Sequence, residues 1–585
     1  MVPDRPLSEP TLAPGQELLA EGRAMARQWR LGSCLFLRTE KVASEAAYKR
    51  RTATEGRIMQ HAHIGFRSVE RTVATMAELH ETVAAHGARI DRFGVTLDWT
   101  MGYPPERRTD ASRGTGIVLD GPEDFARITN AAPAAAHFGD FMLGLPGALH
   151  NTRAAIAAGA TAIGNLGQYF TFRLPYWDDD VATTEATVRS LGLIAAQEAE
   201  ILVHSNLDDG FAGLFLDMSS ALGMVLIERH IVEEMVGARA AFCFGHHFSD
   251  PLTRSAFHAA LARVTDSPGS MIFGNTVAYR GEAAANYASL ANYLLTDMVA
   301  LGRHPSGHAV NPVPVTENLR IPDADEIRDA QLFASRLAAH APGHAAVTDF
   351  ERIDAVADRL LAAGRRFADR VLAGLAERGV ATDDPAALML AIRRLGAKRM
   401  EALWGAGAVE TENGRPLVPA CWAEELDRMA SDWARQQTDL PPGVAGCRIV
   451  LGTTDVHEHG AYLVRSALGR IGVEVIEAGV AIDAETLVAT ALEHGADAIA
   501  ISSYNGVALR YARAVMSLLA ERGAALPVLV GGKLNEIPED SNSGLPVDVT
   551  AKIRATGAIP CGSLDDLLRD CPLFRRPADL GAAGH

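Results

Sequence analysis

Asp455-Val456-His457-Glu458-His459-Gly460 is the stretch of the chain whose residue types and spacing best suit chemistry. An aspartate two residues before a histidine can accept the imidazole's single N–H and so fix its tautomer. The other ring nitrogen is then a strong metal ligand, its basicity raised by the carboxylate. Gly460 lets the chain turn close to something bulky. Two further stretches lie downstream, Ser502-Ser503-Tyr504-Asn505-Gly506 and Gly531-Gly532-Lys533. If each ends a strand, the small side chains leave a deep slot beside a sheet, and the serine hydroxyls could bond a polar tail lying in it. The bland alternative is an Asp–His capping pair on a generic α/β domain.

The elements around these residues predict such a sheet. Apolar strand-like runs at 448–453, 473–478, 498–502 and 527–531 alternate with helix-like runs at 460–471, 483–494 and 509–522. This βαβα order means a doubly wound, flavodoxin-like parallel sheet, which binds ligands beyond the carboxyl ends of its strands. Pro441-Pro442-Gly443 is the clearest linker signal, so a domain over 444–575 is expected.

Upstream, short apolar runs at 57–63, 93–99, 138–144, 161–166, 201–205, 240–246, 270–276 and 308–315 alternate with Ala- and Leu-rich helical stretches. Eight βα units over roughly 260 residues fit a closed (β/α)8 TIM-like barrel. The span 56–325 is assigned to it, as the substrate domain. An open doubly wound sheet is the competing arrangement. Polar and Gly-rich loops follow most runs, and in a barrel they gather at the C-terminal face. Residues 1–55 read as an N-terminal extension, and 326–443 as a helical region and linker.

Composition narrows the function class. The chain has 585 residues, too many for one core, with a net charge of −17. That acidity speaks against nucleic acid and against an anionic membrane as partners. Six cysteines without a CxxC pair exclude a disulfide scaffold and a zinc ribbon. The most apolar window, 211–227, is interrupted by Asp217, Ser219 and Ser220 and is too short to span a bilayer. No signal peptide is visible, so a soluble cytoplasmic protein is expected.

The order Asp-x-His-x-x-Gly, Ser-Ser-x-x-Gly, Gly-Gly in a doubly wound domain resembles the cobalamin-binding domain of vitamin B12 enzymes. Pro560-Cys561-Gly562-Ser563 is similar to that family's last loop. The resemblance implies that His457 becomes the lower axial cobalt ligand, oriented by Asp455. Val456, Glu458, Gly460, Ser502, Ser503, Tyr504, Gly506, Gly531, Gly532 and Gly562 would contribute to the cofactor site.

The barrel-first layout resembles the glutamate mutase family with its two subunits fused. Gln60-His61 is similar to that family's Gln-Pro, and Thr96-Leu97-Asp98 to its Thr-Ile-Asp. This implies an adenosylcobalamin-dependent radical isomerase, with adenosylcobalamin as cofactor, a small organic acid or related molecule as substrate, and dimerisation.

The family's substrate-gripping arginines are missing. The first neighbourhood reads Gln60-His61-Ala62-His63, the second Trp99-Thr100-Met101-Gly102, and the fourth strand's loop offers Gln168, Tyr169 and Arg173. A substrate other than glutamate is therefore expected. His61 and His63, alternating on one strand, Asp98, Arg173 and Asp208 are the candidate catalytic residues. Structural histidines, helix caps and an exposed arginine are the respective alternatives. Glu317 is a candidate for the adenosyl ribose by analogy. His246-His247 is weak as a metal pair, since adjacent strand residues diverge. A cobalamin-dependent methyltransferase is the runner-up, because such enzymes share the Asp-x-His-x-x-Gly domain behind a helical cap.

Overall fold

The structure is a computed structural model that describes residues 6–574 except 112, 208–214, 245–249, 275–278, 280, 439, 441–443, 456, 505 and 537–545. It divides into two compact units. One comprises 6–171 and 178–421; the other comprises 422 onward together with the segment 172–177.

The first unit is built on eight parallel strands: β1 (Met59–Ile64), β2 (Arg92–Val95), β3 (Ala135–Phe138), β4 (Ala162–Ile163), β5 (Leu202–Asn206), β6 (Arg239–Phe244), β7 (Met271–Ile272) and β8 (Ala309–Val310). Their hydrogen-bonded order, β7-β6-β5-β4-β3-β2-β1-β8, curls into a nearly closed barrel rather than an open doubly wound sheet. At the remaining seam, side chains replace the backbone ladder. Gly274 N–H donates to Asn311 Oδ1 at 3.4 Å. The Tyr279 hydroxyl donates to Val313 O at 2.8 Å, and the Tyr293 hydroxyl to Asn311 O at 3.0 Å.

The strands are buried on both faces because helices cover the outside. The longest helix, Phe350–Ala376, adds a further layer: it packs on the helices Met218–Arg229 and Pro251–Val264 and buries Ile353, Val356, Leu360, Leu361, Phe367 and Val371 at helical spacing. Inside the barrel, His61, His137 and His204 come from the odd strands β1, β3 and β5 and are all nearly fully buried. The large rings need small neighbours. A Cβ on Gly94 of β2 would stand 2.4 Å from His61 Nε2 and 2.6 Å from His63 Nδ1. Alternation of large and small side chains between adjacent strands lets such a layer fill the barrel.

The barrel's N-terminal end is plugged by the helix Glu45–Thr54 from the N-terminal extension. Ala46 packs on Ala162, Leu202 and Ala241. The Glu45 backbone N–H donates to Thr161 Oγ1 at 2.8 Å. Lys49 Nζ and Arg92 Nε each lie 2.9 Å from Glu45 Oε1, and all three side chains are buried.

The second unit holds five parallel strands, β9 (Arg448–Thr453), β10 (Glu474–Gly479), β11 (Ala498–Ser503), β12 (Val528–Gly532) and β15 (Ile559–Cys561). A small antiparallel pair, β13 (Asn535–Glu536) and β14 (Val547–Asp548), stands beside them. The strand order β10-β9-β11-β12-β15 is the flavodoxin-like arrangement. Alternate residues face opposite layers, as the period of two requires. Val450, Ile499, Ile501, Val528 and Val530 pack against Leu487, Val488, Leu509 and Val515; Ile449, Leu451, Ala498, Ala500 and Leu529 face Leu468 on the other side. The helix Cys421–Gln436 groups with this unit from Trp422 onward. Trp433 Nε1 donates to Asp565 Oδ1 at 2.9 Å, and the Trp422 ring stacks on His459 at 4.9 Å.

Candidate functional site

In a sheet of this order the switch point lies between β9 and β11, where the connections leave in opposite directions and open a crevice. The loop after β9 carries Asp455 and His457; the end of β11 carries Ser502 and Ser503, with Tyr504 directly after it.

Asp455 organises both loops. Its Oδ1 accepts from the His457 backbone N–H at 3.0 Å and from His457 Nδ1 at 2.5 Å. Its Oδ2 accepts from the Tyr504 backbone N–H at 2.9 Å and from the Thr454 hydroxyl at 3.0 Å. The carboxylate is 6% exposed, yet its pKa is held down to about 2. Burial alone, the largest influence, would raise it, but the His457 imidazole and the backbone donors outweigh that together. An ionised Asp455 only accepts, so Nδ1 carries the ring proton and Nε2 carries the lone pair. A metal needs that tautomer of a histidine ligand.

The slot beside the loop is shaped by glycine. A Cβ on Gly460 would stand 2.8 Å from Ser502 Oγ. Gly532 has φ +93°, and its Cβ would stand 2.1 Å from the Ser503 carbonyl oxygen. Ser503 is buried, its hydroxyl 3.0 Å from that of Thr454. The Lys533 backbone N–H donates to Ser503 O at 2.8 Å, which ties the end of β12 to β11. Gly506 follows with φ +71°, and Gly562, exposed after β15, donates its N–H to Asp566 Oδ2 at 2.9 Å. Glu458 is buried at the start of the helix His459–Arg470. Val456 lies outside the described residues.

This donor set and this glycine-lined cradle fit a cobalt corrinoid. His457 would supply an imidazole nitrogen to the metal, and the cradle between β9, β11 and β12 would take a polar tail.

Residues 449–559 match the family model described as a B12 binding domain. The chain carries a B12-binding domain. No curated protein matches the chain. Among solved structures, it is similar to a novel cobalamin-binding protein from Desulfitobacterium hafniense DCB-2, at 16% identity and a TM-score of 0.18, over 34% of this chain and 85% of that one. No helix among the described residues is long and apolar enough to cross a membrane.

The other candidates sit in varied settings. His61 and His63 point the same way along β1, their ring centroids 5.8 Å apart and their planes nearly parallel. His63 is exposed, whereas His61 is fully buried. Arg92 Nη1 stands 3.1 Å from His61 Nδ1, and a guanidinium only donates, so His61 is protonated at Nε2. Burial first, then the Arg92 charge, holds His61 well below the usual imidazole range. Asp98 is buried and caps the short helix Trp99–Gly102, accepting from the Thr100 N–H at 3.0 Å and the Thr100 hydroxyl at 2.6 Å. Arg173 lies in the segment 172–177, grouped with the C-terminal unit, and is half-buried. Asp208 and His246-His247 lie outside the described residues. Gln60 turns away from the histidines and donates to Gln331 Oε1 at 2.9 Å.

Sequence reasoning missed Asp140, two residues past the end of β3. Asn165 Nδ2 lies 3.4 Å from its Oδ1, and burial pushes its carboxyl up to about 6. Its place straight after a strand that ends at the barrel's mouth was the available signal.

Proposed function

We propose that the chain is an adenosylcobalamin-dependent radical isomerase, a carbon-skeleton mutase of the glutamate mutase type acting on a small organic molecule other than glutamate. The observation that carries this reading is a nearly closed β/α barrel and a B12-binding domain in one polypeptide, barrel first. A barrel plugged at one end suits radical chemistry, which needs water excluded.

Adenosylcobalamin, when bound, supplies a carbon radical by homolysis of its cobalt–carbon bond. The residues of this chain bind and orient. His457, with its Nδ1 proton held by Asp455, would hold the cobalt through Nε2. Ser502, Ser503, Gly531 and Gly532 would line the place for the tail. Among the barrel candidates, His63 is the exposed member of the pair on β1, and the ring of the buried His61 lies parallel to it. Asp98, Arg173 and Asp208 remain candidates for substrate contact.

The test is anaerobic electron paramagnetic resonance of the full chain with adenosylcobalamin and a panel of small acids, amino acids, amines and diols. A substrate-dependent organic radical signal coupled to cobalt is expected. Turnover of glutamate to 3-methylaspartate would overturn the substrate part of the reading.

A cobalamin-dependent methyltransferase is the second reading. It is favoured by the helix Cys421–Gln436, which packs with the cobalamin-binding unit as a helical cap would. The helices between 324 and 410, however, group with the barrel. Methyl transfer from methylcobalamin to a thiol or amine, with no radical signal, would decide for this second reading.

A further inference from the structure

The tail of cobalamin carries a phosphodiester, an anionic group. The crevice offered to that tail already holds acidic side chains. Asp455 is kept ionised, and Glu458 is buried at the start of the helix His459–Arg470. A further anion brought into such a crevice needs a cation beside it, because partial desolvation strengthens the repulsion.

The loops that leave β9, β11 and β12 are residues 454–458, 504–507 and 533–534, and Lys533 is the single lysine or arginine in them. Only five of the chain's 55 basic residues are lysines, so Lys533 is not the ordinary surface cation of this chain.

The backbone fixes where its side chain begins. Gly532 turns with φ +93°, and the Lys533 N–H then donates to Ser503 O at 2.8 Å. The side chain is laid over Tyr504, with Nζ 4.1 Å from the ring centroid. The same ring lies 4.2 Å from the imidazole of His457. Lys533, Tyr504 and His457 are thus linked in series at the mouth of the crevice. A cation–π contact restrains a side chain that would otherwise lose much rotamer freedom on binding, so the ammonium is placed in advance. The ring is not its only contact, and an ammonium has several donors to share.

We propose that Lys533 is a cofactor-binding residue whose ammonium pairs with the phosphodiester of the cobalamin tail. Ser502, Ser503, Gly531 and Gly532 would supply shape and neutral hydrogen bonds; Lys533 would supply the charge. This rests on the reading of the cradle as the place of the tail. It adds a selectivity: a corrinoid that ends before the phosphate would be held less tightly than one that carries it.

The test is absorbance titration of the full chain with cobinamide, which lacks the tail, and with cobinamide phosphate, which ends in a phosphate. Both offer cobalt to His457 alike, so their difference isolates the phosphate. The parent is expected to bind cobinamide phosphate roughly fivefold or more tightly, a preference that shrinks as salt rises. Lys533→Ala should abolish the preference, leave cobinamide affinity unchanged, and weaken cobalamin binding by a similar factor. Lys533→Arg should keep most of the preference. The salt series on the parent needs no variant. No preference in the parent, a preference kept by Lys533→Ala, or an equal loss for both corrinoids in that variant would overturn the proposal. The last outcome would leave Lys533 as a support for Tyr504. A parent that binds no corrinoid would instead sink the reading of the cradle itself.

Discussion

The ring of Tyr504 lies over the imidazole of His457, centroids 4.2 Å apart and planes inclined by 28°. The backbone of Tyr504 also donates to the carboxylate that holds His457, so one residue restrains the histidine through its face and through its partner. Lys533 Nζ stands 4.1 Å from the centroid of the Tyr504 ring. Tyr504→Ala keeps the backbone bond and removes the stacking. An aromatic pair contributes about 0.5–1.5 kcal/mol, so cobalamin affinity should fall roughly 2- to 10-fold. Tyr504→Phe should bind like the parent. Absorbance titration with cobalamin reads both; unchanged affinity in the alanine variant would remove the positioning role of the ring.

His457→Ala should lose tight cobalamin binding, and Asp455→Asn should weaken it by roughly 10- to 100-fold, as expected when a ligand's orienting partner is removed. The spectrum of the loaded parent should show the vitamin's own base displaced. A coordinated base in that spectrum would sink the axial-ligand assignment.

Asp455 also predicts acid sensitivity. Its folded pKa, about 2, lies below the ordinary 3.8. It therefore contributes stability that is present above about pH 4 and is lost as pH falls toward 2, on the order of 2 kcal/mol. Unfolding of the parent and of Asp455→Asn across that window should show a steeper loss in the parent.

Glu228 behaves in the opposite sense. It is fully buried on the helix Met218–Arg229, and burial pushes its carboxyl up to about 8. Neither of its oxygens meets hydrogen-bond geometry with a described residue; the Ser205 hydroxyl is near enough to ease its ionisation but not aligned to bond it. A carboxyl raised in this way favours the fold below about pH 4.5 and loses that contribution as pH rises toward 8, by up to about 5 kcal/mol. Glu228→Gln should raise the melting temperature, and by more at about pH 8 than at about pH 5. An equal effect at both values would contradict the burial of an ionisable carboxyl there.

At the barrel floor, Glu45→Gln leaves Lys49 and Arg92 buried with no compensating charge. A loss of about 3–5 kcal/mol is expected in denaturant unfolding. A near-neutral effect would show that water reaches the three groups.

The two sheets were legible in the sequence because their strands are short apolar runs set between helical stretches. The switch-point loops were legible because Asp455 and His457 are two residues apart and interact within one turn of chain. Contacts between distant segments were hidden. Asp140 and Asn165 stand 25 positions apart and meet only because β3 and β4 are neighbours in the barrel. Glu45 and Lys49 are charged residues in a polar N-terminal stretch, and composition assigns such residues to the surface. Only the three-way pairing with Arg92 makes their burial tolerable. Trp422 and the helix that follows it likewise carry no local sign of which unit they join.

The plug formed by Glu45–Thr54 closes the N-terminal end of the barrel among the described residues. If the barrel holds a substrate, as proposed, a molecule that reached the inner histidines would not leave past that helix. A spent product would then have to depart before its replacement arrived.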